Sequence, residues 1–255
     1  MSANAAYAAR PPQFGEAEWR VRVDLAAAYR LAAQNGWDDL VYTHLSCRLP
    51  GHEDVFLINP FGLAFDEITA SNLLLIDTAG QVCDGSGRRA NPSGFAIHGA
   101  VHRTRADAHC VIHLHNPAAV AVSTLACGLL PLSQHAMRFW NDIAYHDYQG
   151  LALGAAEQVL LVEELGTHRA MLLRNHGSLV CGRSVAEAYV LMQTLDTACH
   201  IQLQAMAAAV QLNIPPLEVL ARSHAELTAD PEPEGVIEWP ALLRRLLRDC
   251  PDFAT

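Results

Sequence analysis

Cys110-Val111-Ile112-His113-Leu114-His115-Asn116, continued by Pro117-Ala118-Ala119-Val120, is the stretch from which the rest of the chain can be read. Residues 110–115 are short, β-branched and apolar up to the histidines, and so predict a strand. Side chains two apart on a strand leave from the same face, which aims His113 and His115 at one point. Neutral imidazole nitrogen is a ligand for Zn, Mn, Fe and their neighbours, so two rings aimed together supply half of what a first-row metal site needs. Asn116 stands where a helix N-cap would, and Pro117 suits the first helical position. A strand that ends at a helix start leaves its histidines facing a positive helix terminus. Two histidines on a half-exposed strand would give the same three letters, so the pair needs support from elsewhere in the chain.

With 51% hydrophobic and 17% charged residues in 255, the composition is that of a well-buried globular chain. A formal net charge of −10 supplies no basic face for nucleic acid. The cysteines, at 47, 83, 110, 127, 181, 199 and 250, contain no C-x-x-C pair, and their number is odd. Reduced thiols in a cytoplasm fit this better than a disulfide framework. The first twelve residues lack the continuous apolar stretch of a signal peptide, and no run reaches the length of a membrane span. The expectation is a cytoplasmic protein with a small-molecule substrate and neither nucleic acid nor membrane as partner.

Outward from the histidine strand, residues 1–15 read as a flexible arm, and apolar spacing predicts a helix over 16–35 stopped by Gly36. Strands are expected at 40–49, 55–59 and 74–77, with a short helix at 66–73 between the last two. A helix over 95–104 precedes the histidine strand, and another runs from Pro117 towards Cys127. Residues 171–173 form an apolar strand, and 179–181 read as its continuation beyond Arg174-Asn175-His176-Gly177. Ser184-Val185-Ala186-Glu187 is a capping box that opens a long helix to about 211. A short amphipathic helix over 242–247 follows, so residues 16–211 form one α/β domain and 212–255 a C-terminal extension.

His176 is the third candidate ligand: it follows a strand and precedes Gly177, where the backbone can turn or approach closely. Three histidines near strand ends with open coordination positions describe a catalytic metal site better than a structural one. The whole pattern resembles the class II aldolase/adducin family over roughly 20–211. The motifs that carry the resemblance are Thr43-His44-Leu45-Ser46, Asn59-Pro60-Phe61-Gly62, Asn91-Pro92-Ser93-Gly94-Phe95-Ala96-Ile97-His98, the histidine strand, and Leu173-Arg174-Asn175-His176-Gly177. The resemblance implies a three-layer αβα domain around a mainly antiparallel sheet. It also implies a homotetramer and one divalent transition metal per chain (Zn, Mn or Fe) on His113, His115 and His176.

The departures from that pattern bear on the substrate. Sugar-phosphate aldolases of the family carry a glutamate, a metal ligand and proton shuttle, at the position that is Gly94 here. Their phosphate-binding Asn, Thr-Gly and serine pair correspond to His44, Phe61-Gly62 and Ser93. Losing small hydroxyl donors and gaining an aromatic ring argues against a phosphorylated sugar. His44, Phe61, Gly62, Ser93 and Arg174 are therefore the expected substrate contacts. His135 and Tyr145 are the candidates to replace the missing acid/base. His98 and His102 read as packing residues beside the site, His200 as undecided between metal and core, and Arg48, like Arg174, as a possible carboxylate partner. The resulting expectation is a metal-dependent lyase acting on a C–C bond of a small carbonyl or carboxylate compound. The alternatives are an Fe(II) oxygenase of an aromatic acid and a non-catalytic adducin-like assembly module.

Overall fold

In a computed structural model of the chain, residues 2–52, 54–150, 154–229 and 233–255 are described, without the side chains of Ser93 and Ala155. The elements in chain order are α1 (Glu16–Gln34), β1 (His44–Arg48), β2 (Val55–Ile58), β3 (Leu74–Asp77), α2 (Pro92–Thr104), β4 (Cys110–Leu114) and α3 (Pro117–Ser123). There follow α4 (Gln134–Met137), β5 (Ile143–His146), α5 (Ala155–Leu165), β6 (Ala170–Leu173), β7 (Gly177–Gly182), α6 (Val185–Ala207), α7 (Leu217–Thr228) and α8 (Glu238–Asp249). The strands make one seven-stranded sheet in the order β3-β2-β1-β4-β7-β6-β5. Every pairing is antiparallel except β5 with β6, which α5 joins as a parallel crossover. The fold is thus α/β, with a mixed, mostly antiparallel sheet between two helical layers.

Strand alternation sorts the core into those layers. Leu45, Cys47, Cys110, Ile112, Leu114, Leu172 and Val180 face α1, α3, α6 and α8. Val111, Met171, Leu173, Leu179 and Cys181 face the other way, onto Ile97 and Val101 of α2 and Leu161 and Leu165 of α5. β4 lies at the centre and is buried throughout. His44, Ser46 and His113, being out of phase with Leu45 and Ile112, emerge on the α2 side, and the register places His44 directly opposite His113.

Several local expectations change in the structure. The segment 179–181 does not continue β6: Asn175 takes a left-handed turn (φ 59°), and β7 runs back antiparallel to β6. Asparagine tolerates that conformation better than most residues. Asn116 makes no cap bond; its amide instead donates to Asp196 (2.6 Å) and accepts from Ser178 Oγ (2.7 Å), a buried network beneath the strand end. Residues 2–15 are docked rather than flexible: Ala3–Tyr7 form a 3₁₀ turn with Ala6 fully buried, and the Tyr7 hydroxyl donates to Asp24 (2.7 Å). The C-terminal stretch shares the main core, with Trp239 against Tyr189 and its indole N–H donating to the same Asp24 (2.8 Å). The capping box is half as expected: Ser184 Oγ accepts from Glu187 N, while the Glu187 carboxylate takes the N–H of Arg183.

Candidate metal centre

The three histidines meet at one end of the sheet. His113 is the penultimate residue of β4, His115 stands one residue beyond that strand, and His176 sits in the β6–β7 turn. Their ring centroids form a near-equilateral triangle of 5.1, 4.9 and 4.9 Å, and one nitrogen from each lies within 4.8 Å of the others. Gly177 makes the approach possible: a Cβ there would fall 2.5 Å from the Leu114 carbonyl oxygen and 3.1 Å from His115 Cδ2.

Neighbouring groups fix which ring nitrogen is presented. His113 Nδ1 lies 3.0 Å from the Ser178 carbonyl, which can only accept, so Nδ1 carries the hydrogen and Nε2 the lone pair. His115 Nδ1 donates to Asp39 Oδ2 at 2.8 Å, and its Nε2 is buried with no partner among the described residues. A carboxylate or carbonyl behind a ligating imidazole sets its tautomer and raises its basicity. Two fixed Nε2 lone pairs and a third ring beside them make a donor set that fits a first-row divalent metal. Asp39 was not foreseen, because 76 residues separate it from His115.

Burial favours the neutral form of His113, His176 and His44. It holds His113 well below the ordinary imidazole range, with His176 and His115 adding to the effect. Burial, then His115 and His146, lowers His176 to about 4, and burial, then His115, takes His44 to about 3. Unfolded, each would titrate at about 6.5. A folded pKa below the unfolded one means that the unfolded chain binds more protons between the two values. The stability held by these groups is full above about 6.5 and is lost as the pH falls towards the folded values of about 4 and 3. The metal-free protein is therefore expected to melt at progressively lower temperature from pH 6.5 down to 4. Melting curves in chelator test this, and a Tm unchanged over that window would contradict neutral burial.

A cavity of about 540 Å³ opens over the triad, lined by the three histidines with Asp39, Tyr42, His44, Phe61, Asn91, Pro92, Ile97, Tyr148 and Gly150. Its size is that of a small-molecule site. Among the described residues Asp39 is its only acidic or basic lining side chain apart from the histidines, and aromatic rings dominate the wall. Behind the wall, Ser46 Oγ bridges His98 Nδ1 (2.6 Å) and His102 Nε2 (2.8 Å), and His102 Nδ1 meets the Ala108 carbonyl (3.1 Å). The carbonyl end polarises this chain. His102 Nδ1 must donate, so its Nε2 accepts the Ser46 hydroxyl, Ser46 accepts from His98 Nδ1–H, and His98 Nε2 is left as a buried lone pair.

Of the expected substrate contacts, His44 and Phe61 line the cavity; Gly62 adjoins Phe61, and the Ser93 side chain lies outside the described residues. Arg174 does not line the main cavity but a small neighbouring recess with His146, Glu157 and His176, and it pairs with Asp147 at 3.2 Å. His135 is exposed on α4, and the Tyr145 hydroxyl accepts from Leu129 N (3.0 Å); neither is brought to the cavity. Arg48 is at the far end of β1, its guanidinium spent on the carbonyls of His102 and Arg105. His200 is solvent-facing and pairs with Asp196 at 3.6 Å. Among the described residues no helix is long and apolar enough to cross a membrane.

Comparison with known proteins agrees with this geometry. The family described as Class II Aldolase and Adducin N-terminal domain matches residues 23–203. The crystal structure of an aldolase II superfamily protein from Pseudomonas syringae superposes with a TM-score of 0.92 at 45% identity, covering 95% of this chain and 98% of that one. An L-fuculose 1-phosphate aldolase from Glaciozyma antarctica gives a TM-score of 0.80 at 30% identity over 97% of each chain. Alpha-adducin of Mus musculus is 41% identical over 199 residues, which are 77% of this chain but only 27% of that protein. The chain belongs to the class II aldolase and adducin family.

Proposed function

We propose that the protein is a metal-dependent lyase that breaks a C–C bond in a small carbonyl or carboxylate substrate lacking phosphate. The observation that carries this reading is the convergence of His113, His115 and His176 on one point in a cavity, with two of the three tautomers set from behind. A divalent metal held there would act as a Lewis acid on a carbonyl or enolate oxygen. The alternative way to stabilise a carbanion, an imine on a lysine amine, is closed to this sequence: all 17 of its basic residues are arginines. Asp39 and the Ser178 carbonyl orient the ligands, and the aromatic wall excludes water from the reacting end.

The non-phosphate part rests on the lining. Among the described residues no arginine lines the cavity to meet a dianion, and Phe61 supplies a ring where the aldolase pattern has a threonine hydroxyl. The fuculose-phosphate aldolase among the relatives makes the opposite outcome a fair test. The chain is reconstituted separately with Zn, Mn and Fe(II), metal per chain is measured, and hydroxy-keto acids are offered beside sugar phosphates. Release of aldehyde or carbon dioxide from a non-phosphorylated acid is the expected result. Comparable turnover of a sugar phosphate would overturn the substrate assignment, and oxygen uptake confined to the Fe(II) protein would move the chemistry to the oxygenase alternative.

Gly94, which cannot move a proton, favours a second reading as an assembly module whose cavity does no chemistry. Tyr42 and Tyr148, 52% and 55% exposed at the cavity mouth, suit burial between copies in the homotetramer we propose. Absence of any metal uptake would leave the module as the better account.

A further inference from the structure

We propose that His44, seated in the space Gly94 leaves open, is the hydrogen-bond donor to the carboxylate of a monoanionic substrate. The inference rests on the metal-lyase reading and extends it to one residue and one ligand charge.

The His44 ring is 2% exposed, yet it forms part of the cavity wall. It lies between His113, near-parallel at 6.3 Å, and the edge-on ring of His98 at 5.7 Å. Neither of its nitrogens has a hydrogen-bond partner among the described residues. Buried polar side chains are otherwise almost always satisfied, so an unpartnered imidazole facing a cavity points to a group that arrives with the ligand. The ring is not one of the metal ligands, because among the described residues only His113, His115 and His176 bring nitrogens within mutual reach. Its role lies beside the metal, on whatever the cavity holds.

The pocket for the ring is made by a missing side chain. A Cβ on Gly94 would lie 2.6 Å from His44 Cδ2 and 2.7 Å from both Cγ and Nε2. Any residue but glycine at 94 therefore displaces the imidazole. Gly94 sits inside the first turns of α2, where glycine is a poor helix former, so helix propensity does not account for it. The requirement comes from across the cavity.

Charge selects the ligand class. Three imidazole ligands add no charge of their own and leave a divalent ion its full charge, and among the described residues Asp39 is the one carboxylate in the lining. The net value is +1, which one carboxylate neutralises and a phosphate dianion overshoots, with no arginine among the described lining residues of this cavity to offset it. The apolar remainder of the lining, Phe61, Pro92, Ile97 and Tyr148, fits a hydrocarbon or aromatic body behind that carboxylate.

The test uses the full chain loaded with Co(II), and titrates it with mandelate and with inorganic phosphate, following the cobalt absorption and the heat of binding. Mandelate is expected to bind at least about tenfold tighter than phosphate. In His44→Phe, mandelate binding weakens by about ten- to a hundredfold, as loss of a hydrogen bond to a charged group implies. Cobalt stays at one per chain in that variant, and His44→Asn, which keeps an N–H donor, recovers part of the loss. Gly94→Ala should reproduce the His44→Phe loss, and should add nothing in a His44→Ala background, where no ring remains to be displaced. Unchanged mandelate binding in His44→Phe, tighter binding of phosphate than mandelate, or additive losses for positions 44 and 94 would each overturn the proposal. Failure of the metal reading looks different: the wild-type chain would then take up no cobalt.

Discussion

His176→Ala is expected to reduce bound metal from about one per chain to a trace, with the fold and melting curve of the metal-free protein nearly unchanged. His176 is the ligand best suited to this separation. His113 holds the Ser178 carbonyl and His115 holds Asp39, so removing either ring breaks a structural bond as well as a metal bond. The His176 ring is only partly buried and has no hydrogen bond among the described residues, so little but coordination is lost with it. Asp39→Asn supplies the scale: changing a group behind a ligand weakens metal affinity by about 10–100-fold. His176→Ala should exceed that range, and any lyase activity should fall with the metal. Metal analysis after dialysis against a weak chelator reads both variants. Undiminished metal in His176→Ala would show that the ion, if one binds, is held elsewhere.

The second large effect is expected from Gly177→Ala. The new methyl would collide with a backbone oxygen, that of Leu114, at 2.5 Å, and with the edge of His115 at 3.1 Å. Neither can yield as the tip of a flexible side chain can, so β7 must draw away from β4. Overpacking of this kind costs about 1–3 kcal/mol, and each kcal/mol lowers Tm by about 2–4 °C in a domain of this size. The same displacement spreads His113, His115 and His176, so metal affinity should fall together with stability. Gly15→Ala is the control, since a Cβ there meets nothing within 4 Å. A Gly177→Ala protein with wild-type Tm and metal affinity would refute the close-approach role.

What the sequence reveals here is periodic or local. Alternation in Val111-Ile112-His113-Leu114-His115 is enough to place both histidines at one strand end, and the family motifs extend that to His176 and to the layered sheet. The reversal after β6 is not legible because Leu172-Leu173 and Leu179-Val180 are apolar alike; only the left-handed Asn175 separates a turn from a continuation. Asn116 shows a local preference overridden, since Ser178 and Asp196 compete successfully for its amide. α7 escaped notice because most of its side chains face solvent, Leu220 being its one buried residue. Asp39 behind His115 and Gly94 beneath His44 belong to pairs far apart in the chain, for which no spacing rule exists. Expecting the proton-handling group at His135 or Tyr145 followed from their position in the sequence, and α4 and β5 carry both away from the cavity.

The central strand also governs how the molecule comes into being. β4 has for neighbours β1, some 66 residues earlier in the chain, and β7, some 70 later, so neither of its ladders can begin as a hairpin. Closing such loops is paid in chain entropy before any contact is gained, which makes these pairings late and slow steps of folding. Residues 113, 115 and 176 become neighbours only when β4 has zipped to β7, so no partly folded chain offers an ion the whole triad. An ion bound only by the native chain deepens that state by mass action, by about 4 kcal/mol when its free concentration is a thousand times Kd. A metal held by this triad would thereby couple cellular metal supply to the stability of the folded protein through a single β-ladder.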